Sequence, residues 1–198
     1  FADDYPTPTG YVNDFASLLS DEAGQVLNKE LVALEEKTTV EVSVVTVESL
    51  NGENIENFTR GLANQWGVGK AGKDNGVVFL IAPNEREMRI ETAPGARTTL
   101  TDHLANKIRD QIILPRFKQG DMPKGIIEGT RAIIEVFDPA YVSSTAESLA
   151  VKEAQEANHK EFGKAILVSL FGMIGLGILG SFVLDIFRRR DARRYVLE

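Results

Sequence analysis

Three aspartates and one glycine-rich stretch are the residues whose types and spacing suggest chemistry. Asp14 lies shortly before the first predicted helix, Asp74 just before a predicted strand and Asp102 in the first turn of a predicted helix, and ligands bind α/β sheets at such element ends. A calcium ion takes about six to eight oxygens, several of them carboxylates. The three aspartates with nearby carbonyls therefore form a candidate, weak calcium site, and calcium is the only cofactor the sequence suggests. The same residues also suit a structural role. Asp74 before Asn75-Gly76 fits a turn entering a strand, and Asp102 fits a first helical turn. Gly67-x-Gly69-Lys70-x-Gly72 has the glycine content of a phosphate loop. It lacks the Walker spacing and follows a predicted helix instead of opening one, so it reads more readily as a connector.

Composition removes most other chemistries. The chain has 198 residues and no cysteine, which excludes a disulfide scaffold, thiolate metal sites and a cysteine nucleophile. There are two histidines, His103 on a predicted helix surface and His159 further on. No D-x-D or Cys-x5-Arg pattern occurs. A phosphatase needs a nucleophile or metal-bound water together with an anion clamp. Only Arg97 and Lys70 offer themselves as a clamp, so no catalytic residue is assigned and a non-enzyme is favoured. The net charge of -7 argues against nucleic acid as a partner.

The elements that would position these residues follow from periodicity. Residues 1–10 read as an irregular arm. Ser20 caps a helix running to about Lys37, with Ala23, Leu27, Leu31 and Leu34 on one face. Val40–Val47 is β-branched and reads as a strand. Ile55, Phe58, Leu62 and Trp66 mark a second helix. Gly76–Ala82 is apolar without alternation, as in a strand buried on both faces, and Glu87–Thr92 alternates as a half-exposed strand. Leu100, Leu104, Ile108 and Ile112 mark a third helix ending near Pro115. Asp121 caps a fourth, which stops at Asp138-Pro139. The pattern predicts an α/β fold, a three-layer α/β/α sandwich with a small central sheet, over residues 11–140.

Beyond it the sequence changes character. Residues 141–164 read as a polar helical stalk with an Ala146, Ala150, Ala154, Ala157 face. Residues 165–184 hold no charge, and about 20 apolar residues are enough to cross a bilayer. A single transmembrane helix is predicted over 165–187. The basic tail of 188–198, with Arg188, Arg189, Arg190, Arg193 and Arg194, acts as a cytoplasmic topology anchor. The N-terminal domain is then periplasmic or lumenal, delivered by a signal peptide removed before Phe1. Gly172, Gly175, Gly177, Gly180 and Ser181 leave grooves on the span where partner helices can pack. The expected partners are the lipid bilayer and integral membrane subunits of a larger complex.

The assembled segments resemble the TPM-domain family. They are Val12-Asn13-Asp14-Phe15 with the Leu19-Ser20 cap, Trp66-Gly67-Val68-Gly69, and Asp74-Asn75-Gly76-Val77-Val78-Phe79-Leu80-Ile81. Arg89-Ile90-Glu91 leading to Gly95, Leu100-Thr101-Asp102, and Pro115-Arg116-Phe117 with Gly120-Asp121 and Gly125 follow in family order. Asp14, Asp74 and Asp102 match family positions. The resemblance implies the α/β/α sandwich, and many members carry an export signal and a C-terminal span. The family includes thylakoid-lumen proteins of photosystem II repair and bacterial exported proteins. Some members are associated with weak acid phosphatase activity or calcium binding. Thr92-Ala93-Pro94-Gly95-Ala96-Arg97 departs from the usual V-G-x-G-L-E, with Arg97 at the acidic position.

Two functional classes follow. One is a non-catalytic, membrane-anchored accessory subunit that docks on and stabilises or helps assemble a membrane complex, with a photosynthetic reaction centre or photosystem among the expected complexes. The other is a membrane-anchored acid phosphatase-like or calcium-dependent hydrolase. The missing catalytic constellations favour the first.

Overall fold

The computed structural model describes residues 5–141. The predicted stalk beyond Tyr141, the span with its small-residue positions, and the arginine tail lie outside the described residues. Among the described residues no helix is long and apolar enough to cross a membrane. The described residues belong to one compact unit.

The unit is a mixed α/β domain around a four-stranded sheet in the order β1-β2-β3-β4. Strands β1 (Val12–Asp14), β2 (Glu41–Thr46) and β3 (Gly76–Ala82) are parallel, and β4 (Glu87–Thr92) runs antiparallel to β3. Strand β3 is buried along its whole length, as its continuous apolar run requires. Strand β1 was not predicted. Three residues are too short to show periodicity, and pairing with Val44–Thr46 is what makes them a strand.

Helix α1 (Asp21–Thr38) begins where expected, with the Ser20 hydroxyl accepting from the Ala23 N–H, and buries Leu27, Leu31 and Leu34. Helix α2 (Ile55–Trp66) is capped by Asn54 and ends at Gly67 in the left-handed conformation. Short α3 (Pro94–Arg97) precedes α4 (Asp102–Ile108), which Thr101 caps. Helix α6 (Met122–Phe137) is capped by Asp121 and closes the domain at Asp138.

The expected stop at Pro115 is a correction. The helical path continues past Pro115: a π turn, Arg109–Ile113, is followed by α5 (Leu114–Lys118), which holds the proline in its first turn. In this turn the Leu114 N–H donates to the Arg109 carbonyl, five residues back. The wider turn accommodates a proline that would otherwise crowd the preceding helical carbonyl. It also inserts one residue into the helical phase, so Ile113 is buried and Ile112 only partly so.

Two apolar clusters lie on opposite faces of the sheet. On one, Val42, Val44, Phe79 and Ile81 pack with Leu31 and Leu34 of α1, Ile108, and Ile126, Ile133 and Ile134 of α6. On the other, Val45, Val78 and Leu80 pack with Phe58 and Leu62 of α2. Each such side chain contributes about 1.5–3 kcal/mol through removal from water. Helices α1 and α2 thus cover opposite faces while the chain steps the same way from β1 to β2 to β3. The two crossovers therefore have opposite hands, and one departs from the usual right-handed connection.

The arm also departs from expectation. Tyr5 is buried and meets Phe58 edge to face at 5.0 Å. The Trp66 indole N–H donates to the Pro6 carbonyl at 2.9 Å. The arm is therefore part of the second cluster, which a single helix would otherwise leave partly open.

Candidate functional site

A polar cleft of about 510 Å3 lies where the C-terminal end of α2, the following loop and the turn from β4 to α3 converge. Arg60, Lys70, Asp74, Glu91 and Arg97 line it. Glycines let its walls approach. At Gly76 a side chain would collide with the Val68 carbonyl, and at Gly95 with the carbonyls of Lys73 and Asp74. The Gly95 N–H donates to the Asp74 carbonyl at 2.8 Å, which joins the two rims.

The loop is fixed by side chains of its neighbours. The Gly69 N–H donates to Glu41 at 3.1 Å, and the Lys70 N–H to the Asn75 side chain at 2.9 Å. Asn75 is buried and in turn donates to the Thr39 carbonyl at 2.6 Å. Two of the amides that a phosphate loop would offer are therefore already engaged, and the connector reading of Gly67–Gly72 is the one its hydrogen bonds fit. Asn75 was missed as an organising residue. Its only signal was an asparagine held between a charged loop and an apolar strand.

Charges in the cleft are paired unequally. Arg89 holds one oxygen of Glu91 with two nitrogens, at 2.7 and 2.6 Å. The other Glu91 oxygen has Arg60 at 3.9 Å and Arg97 at 3.8 Å, both beyond hydrogen-bond reach. Arg97 donates to the Thr92 carbonyl at 2.8 Å and stands 3.4 Å from Asp102. The Lys70 ammonium pairs with Glu35, and that hydrogen bond raises its pKa. The Asp74 carboxylate is exposed and carries no hydrogen bond or ion pair among the described residues.

The predicted site residues divide between the two ends of the sheet. Asp74, Lys70 and Arg97 share the cleft, with Asp102 tied to its rim through Arg97. Asp14 lies elsewhere. It is level with Thr46 and Ile81, whereas Asp74 precedes Gly76 at the other end of β3, roughly 16 Å of strand away. The carboxylate of Asp14 accepts from the Leu18 N–H at 3.0 Å, the Leu19 N–H at 2.7 Å and the Thr46 hydroxyl. Asp14 thus organises the loop into α1, and the expectation of one calcium site built from Asp14, Asp74 and Asp102 is corrected by the register. Among the described residues no group of three or more His, Asp or Glu is arranged to hold a metal ion. His103 is exposed on α4, as expected.

A mixed four-stranded sheet with helices on both faces and a polar cleft at one sheet end defines a small α/β domain class. The chain belongs to the TPM-domain family, whose model matches residues 12–136. It is similar to the N-terminal domain of a protein from P. gingivalis solved in solution, with 35% identity and a TM-score of 0.62, covering 67% of this chain and 85% of that one. The N-terminal domain of the cg2496 protein from Corynebacterium glutamicum shares the fold at 16% identity and a TM-score of 0.52, with 70% and 86% covered. So does the BA42 protein from Bizionia argentinensis, at 19% identity and 0.53, with 62% and 83% covered. No curated protein matches the chain.

Proposed function

We propose that this chain is a single-pass membrane protein whose TPM domain, a three-layer α/β/α sandwich, works outside the cytoplasm as a non-catalytic accessory module. In this reading a stalk joins the domain to the span, and the small residues around Gly177 pack on integral membrane subunits of a larger complex. The arginine tail holds the cytoplasmic end. The observation that carries the non-catalytic reading is the state of Asp14. Both of its oxygens accept hydrogen bonds from the protein itself, at the end of the sheet away from Asp74. The tethered arrangement draws support from the sequence, in which the domain is followed by a charge-free run of 20 residues and five arginines.

The cleft favours one second reading. It gathers Lys70 and Arg97, the cations that would hold a phosphate ester in an acid phosphatase-like or calcium-dependent hydrolase, beside the Asp74 carboxylate, which would serve as the nucleophile or a metal ligand.

One set of experiments separates the two. Protease added outside right-side-out vesicles should digest the domain and spare the tail. Gly177→Leu should release the protein from co-purifying membrane subunits while leaving the domain folded. The purified chain should turn over a phosphate ester far more slowly than 1 per second, with or without calcium. Faster turnover abolished by Asp74→Asn would replace the accessory reading with the hydrolase. Unchanged co-purification of the Gly177→Leu variant would remove the proposed docking face.

A further inference from the structure

Among the described residues strand β4 is an edge of the sheet, with no strand on its free side. The Ala93 N–H donates to the Gly76 carbonyl at 2.9 Å, which sets the alternation of the antiparallel ladder. Residues Glu87, Arg89 and Glu91 exchange hydrogen bonds with β3, so the backbone groups of Met88, Ile90 and Thr92 point away from it. The Thr92 carbonyl accepts from Arg97. The N–H and C=O of Met88 and Ile90 have no partner among the described residues. Edge strands are ordinarily blunted by charged side chains, of which this one carries Glu87, Arg89 and Glu91, and above all by lysine, proline or a bulge. Glu87–Thr92 has neither residue, and its register with β3 is unbroken.

We propose that this edge pairs with the same edge of a second copy of the chain, forming an antiparallel β4–β4 junction centred on Ile90. The occupant follows from charge complementarity. With Ile90 opposite the second copy's Ile90, Arg89 of each chain lies opposite Glu91 of the other. Each Arg89, which already pairs with Glu91 and Glu56 of its own chain, then also faces the other chain's Glu91 on the face covered by α2, so the charges of the two strands alternate in a shared row. Centring the pair on Arg89 or on Glu91 would set like charges directly opposite one another. Centring it on Met88 would shorten the overlap to the first residues of the strand. The Ile90 register exchanges both backbone bonds of Ile90 and directs each Met88 N–H to the other chain's Thr92 carbonyl. That carbonyl has a second lone pair beside the one Arg97 uses. On the opposite face Ile90 and Met88, already half-buried against the core, would gain apolar neighbours. The surface is thus matched to itself in sequence, charge and hydrogen bonding.

The test uses the full chain in detergent micelles, with oligomeric mass read by light scattering. Wild type is expected as two copies. R89E and E91R should each run as one copy, because each places like charges across the junction. An equimolar mixture of R89E with E91R should recover the two-copy species, since opposite charges then face one another again. A wild type that stays single, a dimer insensitive to R89E, or a mixture that fails to recover would overturn the junction. A dimer held only by the apolar segment at 165–184 would show that insensitivity. A second measurement does not depend on the charge variants. The chain has no cysteine, and paired residues in such a ladder have Cα atoms about 5.5 Å apart, within disulfide reach. Oxidation should link I90C into a dimer and leave E36C, at an exposed position on α1, unlinked. Failure of I90C to link would equally count against the proposal.

Discussion

Ile113 occupies the space that a side chain at Gly129 would need. A methyl group on Gly129 would lie 2.5 Å from Cγ1 and 2.7 Å from Cδ1 of Ile113. Helix α6 can therefore approach the π turn closely, and Phe79 on β3 lines the same spot. This contact exists because the π turn moves Ile113, and not Ile112, onto the core.

The two isoleucines should accordingly differ on truncation. Ile113→Ala removes a fully buried side chain and should cost about 2–5 kcal/mol, the range for core Ile-to-Ala changes. Ile112→Ala, at a partly exposed position, should cost less than about 1 kcal/mol. Chemical denaturation of the two variants reads the difference directly. Equal costs, or a larger one at Ile112, would return the helix to the uninterrupted phase expected from sequence.

Asp14 should behave as a structural residue. Asp14→Ala leaves two partly buried N–H groups and the buried Thr46 hydroxyl without their acceptor. The expected loss is about 2–3 kcal/mol. Millimolar calcium should leave the melting temperatures of wild type and variant equally unmoved. A calcium-induced rise in wild type that Asp14→Ala removes would restore Asp14 as a metal ligand.

A pH effect is expected at the turn after β2. The Ser49 hydroxyl donates to Glu85 at 2.5 Å and the Leu50 N–H at 3.0 Å. These bonds, that of Ser49 foremost, hold the Glu85 carboxyl below its ordinary value of 4.5. A carboxyl with a lowered folded pKa contributes stability that is fully present above its unfolded pKa and fades as pH falls through the folded one. The turn should therefore loosen only below about pH 4.5, and Glu85→Gln should flatten that part of the stability profile. Amide exchange at Leu50 between pH 3 and 6 measures it, and an unchanged profile in the variant would remove Glu85 as the cause.

The local elements were legible in the residues themselves. Leu27, Leu31 and Leu34 fall at helical spacing, Ser20 and Asp121 carry capping side chains, and Gly76–Ala82 is apolar throughout, so these segments report their own conformation. Periodicity and capping act over a few residues, and sequence displays such features directly. What the sequence could not display was anything set by pairing at a distance. Strand β1 exists because Val12–Asp14 finds Val44–Thr46. The π turn exists where Pro115 and the packing of Ile113 on Gly129 together favour one extra residue. The candidate site shows the same division. Three aspartates at element ends look alike in sequence, because an element end carries no label for which end of the sheet it will occupy. The parallel register of β1, β2 and β3 decides that. It sends Asp14 to one end to organise a loop, and Asp74 to the other, beside Lys70 and Arg97.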